Sequence, residues 1–345
     1  MRIVGLDILR SVAIILVLFR HSELFSNPLH HFGWLGVDLF FVLSGFLVSG
    51  LIFKEYKTRG KLNIKRFLLR RGFKIYPAFY IFLAASIFIE HYRDGFVPRW
   101  DALLGEIFYL QSYLPHIWTH TWSLAVEEHF YLSLALLSFI AYKTTSLDKK
   151  TIVISGLIAL LIFSFFLRFS SSYPHRNEPF YAFMQTHLRS DGILVGVLIA
   201  YLYHFTHFFS FFTKWRWIFL ASSISLMLPG FFYEAGGYFM NTAGLSLVNI
   251  GFGLLTLFSL TNFEMNSTAL QSISKPFVFF FTLVGKHSNS IYLWHIACRN
   301  FVNDCIHLGP NINSLVFFAI SLAGGILLSL LIERPFLKLR DRWVA

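Results

Sequence analysis

Apolar residues in this chain gather into long runs, without the period-two alternation of a half-buried strand. Ten runs have the length needed to cross a bilayer as helices: 6–24, 34–53, 75–91, 121–142, 152–169, 188–205, 217–233, 243–261, 289–306 and 314–332. Two shorter runs, 102–114 and 276–284, predict interfacial or re-entrant pieces. The pattern predicts an all-α, polytopic membrane helix bundle forming one domain over residues 1–345, with no appended soluble domain. A membrane barrel would need alternating segments of about ten residues. The first run is too long, and its flanks too plain, for a cleaved signal peptide. No convincing internal repeat is visible, which weighs mildly against transporter folds built from two similar halves.

The polar residues inside these runs carry the information. Arg10 and His21 lie within the first run. Ionisable groups in a bilayer are costly and usually mark a substrate or proton path. Eleven residues at 100° each return to the same helix face, about 16 Å further along the axis. Asp7 shares that face, so Arg10 also has a plainer reading as an Asp7 partner at the membrane edge.

Composition supports the membrane reading. The chain is 56% hydrophobic and 19% aromatic, with 42 Phe, more apolar than soluble enzymes of this length. The net charge of +11 does not imply nucleic acid, because its distribution is topological. Lys54, Lys57, Arg59, Lys61, Lys65, Arg66, Arg70, Arg71 and Lys74 crowd the connection after the second run. Arg334, Lys338, Arg340 and Arg342 follow the last. The positive-inside bias then puts both termini, residues 143–150 and residues 214–216 on the cytoplasmic side. The opposite loops, such as 25–33 and 170–185, are short and mixed in charge. Cys298 and Cys305, seven residues apart on one expected helix, imply no disulfide framework, and no zinc-ligand spacing occurs.

Orientation assigns depth. His21 lies near the outer end of the first span, and Arg10 nearer the cytoplasm. Asp38, Glu127 and Glu128 descend from the outer side at the starts of their spans. An Asp, a His and two Glu can therefore gather in the outer half, with the Arg-rich surface inside.

Several stretches match known signatures. Leu6-Asp7-Ile8-Leu9-Arg10 followed by His21 resembles the opening motif of the integral-membrane acyltransferase family 3. Gly36-Val37-Asp38-Leu39-Phe40-Phe41-Val42-Leu43-Ser44-Gly45-Phe46-Leu47 is similar to its second-helix motif. Arg70-Arg71-Gly72-Phe73-Lys74-Ile75-Tyr76-Pro77 resembles its basic approach to the third helix. Thr121-Trp122-Ser123-Leu124-Ala125-Val126-Glu127-Glu128-His129-Phe130-Tyr131 resembles its Trp-Ser-Leu and Glu-Glu block. Ser290 to His295 and Glu333-Arg334-Pro335-Phe336 resemble two late motifs. These matches occur in order over nearly the whole chain. Ile8 departs from a Gly often seen there. Lys74 stands where Arg is usual, replacing a planar fork by a point charge.

The resemblance implies transfer of an acetyl or other acyl group from acyl-CoA to a sugar hydroxyl. The acceptor would belong to a surface polysaccharide or its lipid-linked precursor, at the cytoplasmic membrane of a bacterium. It gives His21 the role of general base, which suits a neutral imidazole at ordinary pH; an acyl-His intermediate is the other chemical route. Asp38, Glu127 and Glu128 are candidates to orient that ring. The plain reading of Glu127 and Glu128 is a solvated pair at a helix start. Arg10 becomes a donor or acyl-carbonyl contact, while Arg66, Arg70, Arg71 and Lys74 become phosphate ligands for the donor. Topology and anionic lipid alone would account for most of that cluster. Ser44 and Gly45 permit passage of a pantetheine arm, or ordinary helix packing. His295 either lines the site or is a satisfied buried His, and Glu333 with Arg334 reads as a structural ion pair. No tightly bound cofactor, metal or nucleic acid is expected; the expected partners are acyl-CoA, a carbohydrate or glycolipid, and the bilayer. The competing class is a transporter or flippase for an anionic or glycolipid solute, which suits ten spans and buried charges but leaves the motif set unexplained.

Overall fold

A computed structural model describes residues 3–23, 28–144, 147–175, 183–261 and 268–344. The middles of two outer connections considered above, residues 24–27 and 176–182, lie outside the described residues. The principal helices are α1 (Val4–Arg20), α2 (Leu35–Arg59), α3 (Ile64–Asp94), α4 (Trp100–Ile107), α5 (Thr119–Thr144), α6 (Lys150–Ser172), α7 (Asp191–Phe205), α8 (Arg216–Phe232), α9 (Met240–Ser259), α10 (Thr268–Cys305) and α11 (Pro310–Trp343). No strand occurs among the described residues. The protein is an all-α polytopic membrane bundle.

Six of these helices, α2, α3, α5, α6, α9 and α11, are long and apolar enough to cross a membrane. A seventh follows if α7 and the helix Phe208–Lys214, bent by 97°, form one broken span. The other apolar runs fall on α1, which has 17 residues, on the shorter α8 and on α10.

Two expectations are corrected. The run 276–284 is not a separate re-entrant piece, because α10 continues through it for 38 residues. Its polar interruption, residues 285–290, remains helical because Ser288, His287 and Asn289 find partners on Arg10, Ser329 and Glu333. The basic stretch 54–74 is also mostly helix, with α2 and α3 joined by four residues. The Asn63 side chain accepts from the Arg66 N–H and caps α3. The basic side chains therefore stand on ordered turns.

Burial ranks the helices. In α2, 67% of the apolar window is buried, against 11% in α6, so α2 is central and α6 faces lipid with Ile158, Ile162, Phe163 and Phe166. The α2–α7 crossing is the most extensive contact between helices. It is close because a Cβ on Gly45 would lie 2.1 Å from the Ile193 carbonyl oxygen, and one on Gly196 would lie 2.2 Å from that of Val42. Helix α1 lies between α2 and α10, and α11 packs on α10. At the α1–α10 contact, a Cβ on Gly285 would lie 1.8 Å from the Asp7 carbonyl oxygen, so only glycine lets the two backbones meet there.

Gly45→Ala is expected to destabilise the bundle by about 1–3 kcal/mol, the usual cost of overpacking. Gly156, with nothing within 4 Å, is the control. Gly156→Ala should be neutral or slightly stabilising, because alanine suits helices better. Unfolding of both variants in a graded detergent series reads the two signs directly.

Candidate active site

Three cavities lie in series along α1, α2 and α3 and share walls. The first, of about 460 Å³, sits at the basic end between α2, α3 and the end of α11. Lys54, Arg59, Arg66, Arg70, Arg71, Lys74 and Arg340 line it, against a single carboxylate, Glu55. Arg66 lies 3.7 Å from Glu55. Arg70 donates to the Val344 carbonyl at 2.8 Å and pairs with Asp341 at 3.2 Å, so it also ties the end of α11 to α3.

Arg71 and Lys74 reach onward into the second cavity, a narrow one of about 100 Å³. Arg10, Ser44, Glu127, Tyr131, Ser288 and Tyr292 also border it, with Val37, Phe40, Leu43 and Leu47 as apolar wall. Helix spacing places these groups. Ser44 Oγ donates to Glu127 Oε1 at 2.9 Å, and Tyr131 OH, one turn beyond Glu127, donates to Oε2 at 2.6 Å. The Arg71 guanidinium sits 4.0 Å above the Tyr131 ring, a cation–π contact. Arg10 Nε donates to Ser288 Oγ at 3.2 Å, and the carboxylates of Asp7, Glu127 and Glu333 attract its charge.

Val37 and Tyr292 carry the wall into the third cavity, of about 410 Å³ at the other end of the bundle. It holds His21 with Arg20, Trp34, Trp118, His120, Trp122, Phe183 and Arg299. The His21 ring lies 4.9 Å from that of His295, which lies 5.1 Å from that of His120. Backbone carbonyls orient both neighbours. His120 Nε2 meets the Leu293 oxygen at 3.1 Å, and His295 Nδ1 meets that of Tyr292. Each contact requires N–H at that nitrogen, so in the neutral rings His120 Nδ1 and His295 Nε2 are acceptors, both buried without a partner among the described residues. The Tyr292 hydroxyl donates to the His120 carbonyl at 2.9 Å and shares a 2.6 Å bond with Ser123.

The residues proposed from sequence are thus distributed along the series. His21 lies at one end, Arg10, Ser44, Glu127 and Lys74 in the middle, and Arg66, Arg70 and Arg71 at the basic end. The three carboxylates do not converge on His21: among the described residues no carboxylate is hydrogen-bonded to its ring. Adjacent helix positions differ by 100°, so Glu127 and Glu128 part. Glu128 accepts from Tyr76 and borders a lateral groove beside Leu68, Phe73 and Leu132. Asp38 is buried in an ion pair with Arg189 at 2.8 Å. That guanidinium stacks 4.9 Å from the Phe183 ring and 5.5 Å from Trp122, so Asp38 braces the aromatic wall of the third cavity from behind. Glu333 accepts from Asn289 and Ser329, and no Glu333–Arg334 ion pair is among the described ones.

Several residues were not singled out from sequence. Arg168 is buried in α6, 2.7 Å from Asp191 and bonded to Ser246, and the rule that drew attention to Arg10 would have found it. Arg189 and His120 sit at helix ends, where a polar residue is unremarkable in a sequence, whereas Arg299 lies inside the run 289–306 and the same rule would have found it. Glu106 on α4 is another. It accepts from Thr121 Oγ1 at 2.9 Å and from the N–H groups of Ile117 and Trp118, fixing the segment that carries Trp118 and His120. Burial pushes its carboxyl above the ordinary range, and those hydrogen bonds oppose the shift.

A family model described as an acyltransferase domain matches residues 3–334. The chain belongs to this acyltransferase family, the one its motifs resemble. A provisionally named O-acetyltransferase of Staphylococcus aureus strain COL is 27% identical over 362 residues, covering 97% of this chain and 57% of its own. The O-acetyltransferase OatA of S. aureus strain NCTC 8325 is 26% identical over 334 residues, covering 87% of this chain and 51% of its own. The chain thus spans a little over half the length of these curated relatives. No solved structure matches.

Asp38→Ala should destabilise the protein by about 3–5 kcal/mol, because it strands a buried guanidinium. Replacing both partners, Asp38→Leu with Arg189→Met, should recover most of that loss. A double-mutant cycle on unfolding midpoints checks the coupling.

Proposed function

We propose that this protein is a bacterial membrane O-acyltransferase that moves an acetyl or other acyl group from acyl-CoA to a hydroxyl of a surface saccharide or its lipid-linked precursor. One observation carries the reading: three cavities that share wall residues lie in series between a cation-rich mouth and a histidine about 16 Å beyond Arg10 along the helix. Coenzyme A has the matching shape, with phosphates at one end and a thin, uncharged arm ending in the thioester. Arg66, Arg70, Arg71 and Lys74 take the phosphates from the cytoplasmic side. The narrow second cavity takes the arm, between the apolar faces of α2 and the polar groups of Arg10 and Ser44. The acceptor lies in the third cavity against His21.

His21 removes the hydroxyl proton as the acceptor oxygen attacks the thioester carbonyl. The new C–O bond forms, the C–S bond breaks, and the imidazolium returns the proton to the departing thiolate. His295 and His120 pack around this ring, each held through one nitrogen by a backbone carbonyl. The names of the relatives favour acetyl as the group transferred. A transporter would use the same path, but it leaves unexplained both the membership of an acyltransferase family and a middle passage of about 100 Å³.

His21→Ala, with insertion verified, should lower transfer of label from radiolabelled acetyl-CoA by about 10²–10⁴-fold. Full transfer by that variant would remove His21 from the chemistry. Arg66→Gln should raise KM for acetyl-CoA by about tenfold while leaving S-acetylpantetheine, which lacks the nucleotide phosphates, nearly unaffected. Equal effects on both donors would place the phosphates elsewhere.

A further inference from the structure

The cavity that holds His21 is charged in one direction only. Two guanidiniums, Arg20 from α1 and Arg299 from α10, line it, and no Asp or Glu does among the described residues. Neither arginine pairs with a carboxylate among those residues. Arg20 reaches only His30, at 3.2 Å to its carbonyl oxygen and 3.5 Å to its ring. Other arginines towards this end of the bundle are neutralised. Arg93, at the same end but away from this cavity, holds Glu90, Asp94 and Asp304, while Arg168 and Arg189 each hold an aspartate. Among the described residues, unpaired cations at this end of the protein are therefore a property of this cavity.

The remaining wall suits a sugar. Trp34, Trp118, Trp122, Phe183 and Tyr292 offer aromatic faces to the C–H surface of a pyranose ring. Two cations without carboxylate partners among the described residues call for an oxygen-rich, negatively charged ligand.

We infer that the acceptor is an anionic saccharide whose negative group is held by Arg20 and Arg299 while its hydroxyl meets His21. The charge is either a carboxylate on the sugar or the diphosphate of a lipid carrier, since a guanidinium fork fits both. This deepens the acyl-transfer reading and rests on its assignment of the His21 cavity to the acceptor. It also answers an electrostatic difficulty. Arg20 and Arg299 line the same cavity as the His21 ring, and cations near an imidazole oppose the proton it must take up. An anion between them offsets that field as the proton arrives, so the acceptor completes the site that acylates it.

The test is equilibrium dialysis of the full chain in phosphatidylcholine nanodiscs with three labelled probes. These are a glucuronyl–N-acetylglucosamine disaccharide, neutral diacetylchitobiose, and an N-acetylglucosaminyl diphosphate polyprenol. At least one charged probe should bind about tenfold more tightly than the neutral one, with the preference falling as salt rises. The charged probe that binds names the source of the charge. Arg20→Gln and Arg299→Gln should each reduce the preference, and together abolish it, whereas Arg299→Lys should keep part. Equal binding of all probes, no binding by any, or a preference that survives the double variant overturns the inference. So does full displacement by phosphatidylglycerol, which would assign the arginines to lipid headgroups. The same probes, offered with labelled acetyl-CoA, separate the two readings. Selective binding without His21-dependent transfer would sink the acyl-transfer reading and leave the anion site standing. Transfer to diacetylchitobiose as fast as to the charged probes would do the reverse.

Discussion

A guanidinium placed among hydrocarbon has to find its partners inside the protein, and that requirement organises this bundle. Arg10 on α1 meets Ser288 on α10, Arg168 on α6 meets Asp191 on α7, and Arg189 at the start of α7 meets Asp38 on α2. Each contact crosses between helices, so each fixes a rotation and a height as well as a distance. Hydrophobic packing between apolar helices in lipid is weakly specific, and small residues at crossings such as Gly45 on Gly196 set proximity more than register. The polar contacts supply the register. Once α1, α2 and α10 are locked, the line of cavities between them follows.

Much of this was legible in the chain. Long apolar runs gave the helices, because no other segment satisfies its backbone alone in a bilayer. The eleven-residue spacing put Arg10 and His21 on one face, and both face the cavity series. Partners were not legible. Periodicity says which face of a helix a residue occupies, but not which helix meets that face. Asp38, Glu127 and Glu128 thus read as one carboxylate group near His21, whereas tertiary contacts send them to Arg189, to Ser44 with Tyr131, and to Tyr76. Hydropathy also misjudged segment ends. Charged residues ended the runs on paper at 54–74 and 285–290, but the helices persist wherever side chains have charged or polar partners to reach.

The same partition bears on how the proposed path would serve two unlike substrates. At the basic end the cations stand on ordered helical turns around a cavity of about 460 Å³, open to a large, multiply charged group. The middle narrows to about 100 Å³, where Glu127 is held by two hydroxyl donors and Arg71 is pinned against Tyr131. Beyond it the wall becomes aromatic. In the proposed reaction, a small cavity between two larger ones would sort ligands by shape before any chemistry occurs.

The constriction has a chemical consequence for the proposed reaction. A thioester exposed to bulk water beside a general base would be hydrolysed, and an acyltransferase must prevent this more than it must hasten attack. A passage of about 100 Å³ admits few waters, and the donor arm would displace most of them. His21 lies past that passage, in a chamber whose two arginines lack carboxylate partners among the described residues. If the acceptor's own charge is needed to offset the field of those arginines at His21, the base is fully effective only when the acceptor is present. Water then meets an incomplete site, and hydrolysis is suppressed by electrostatics as well as by exclusion.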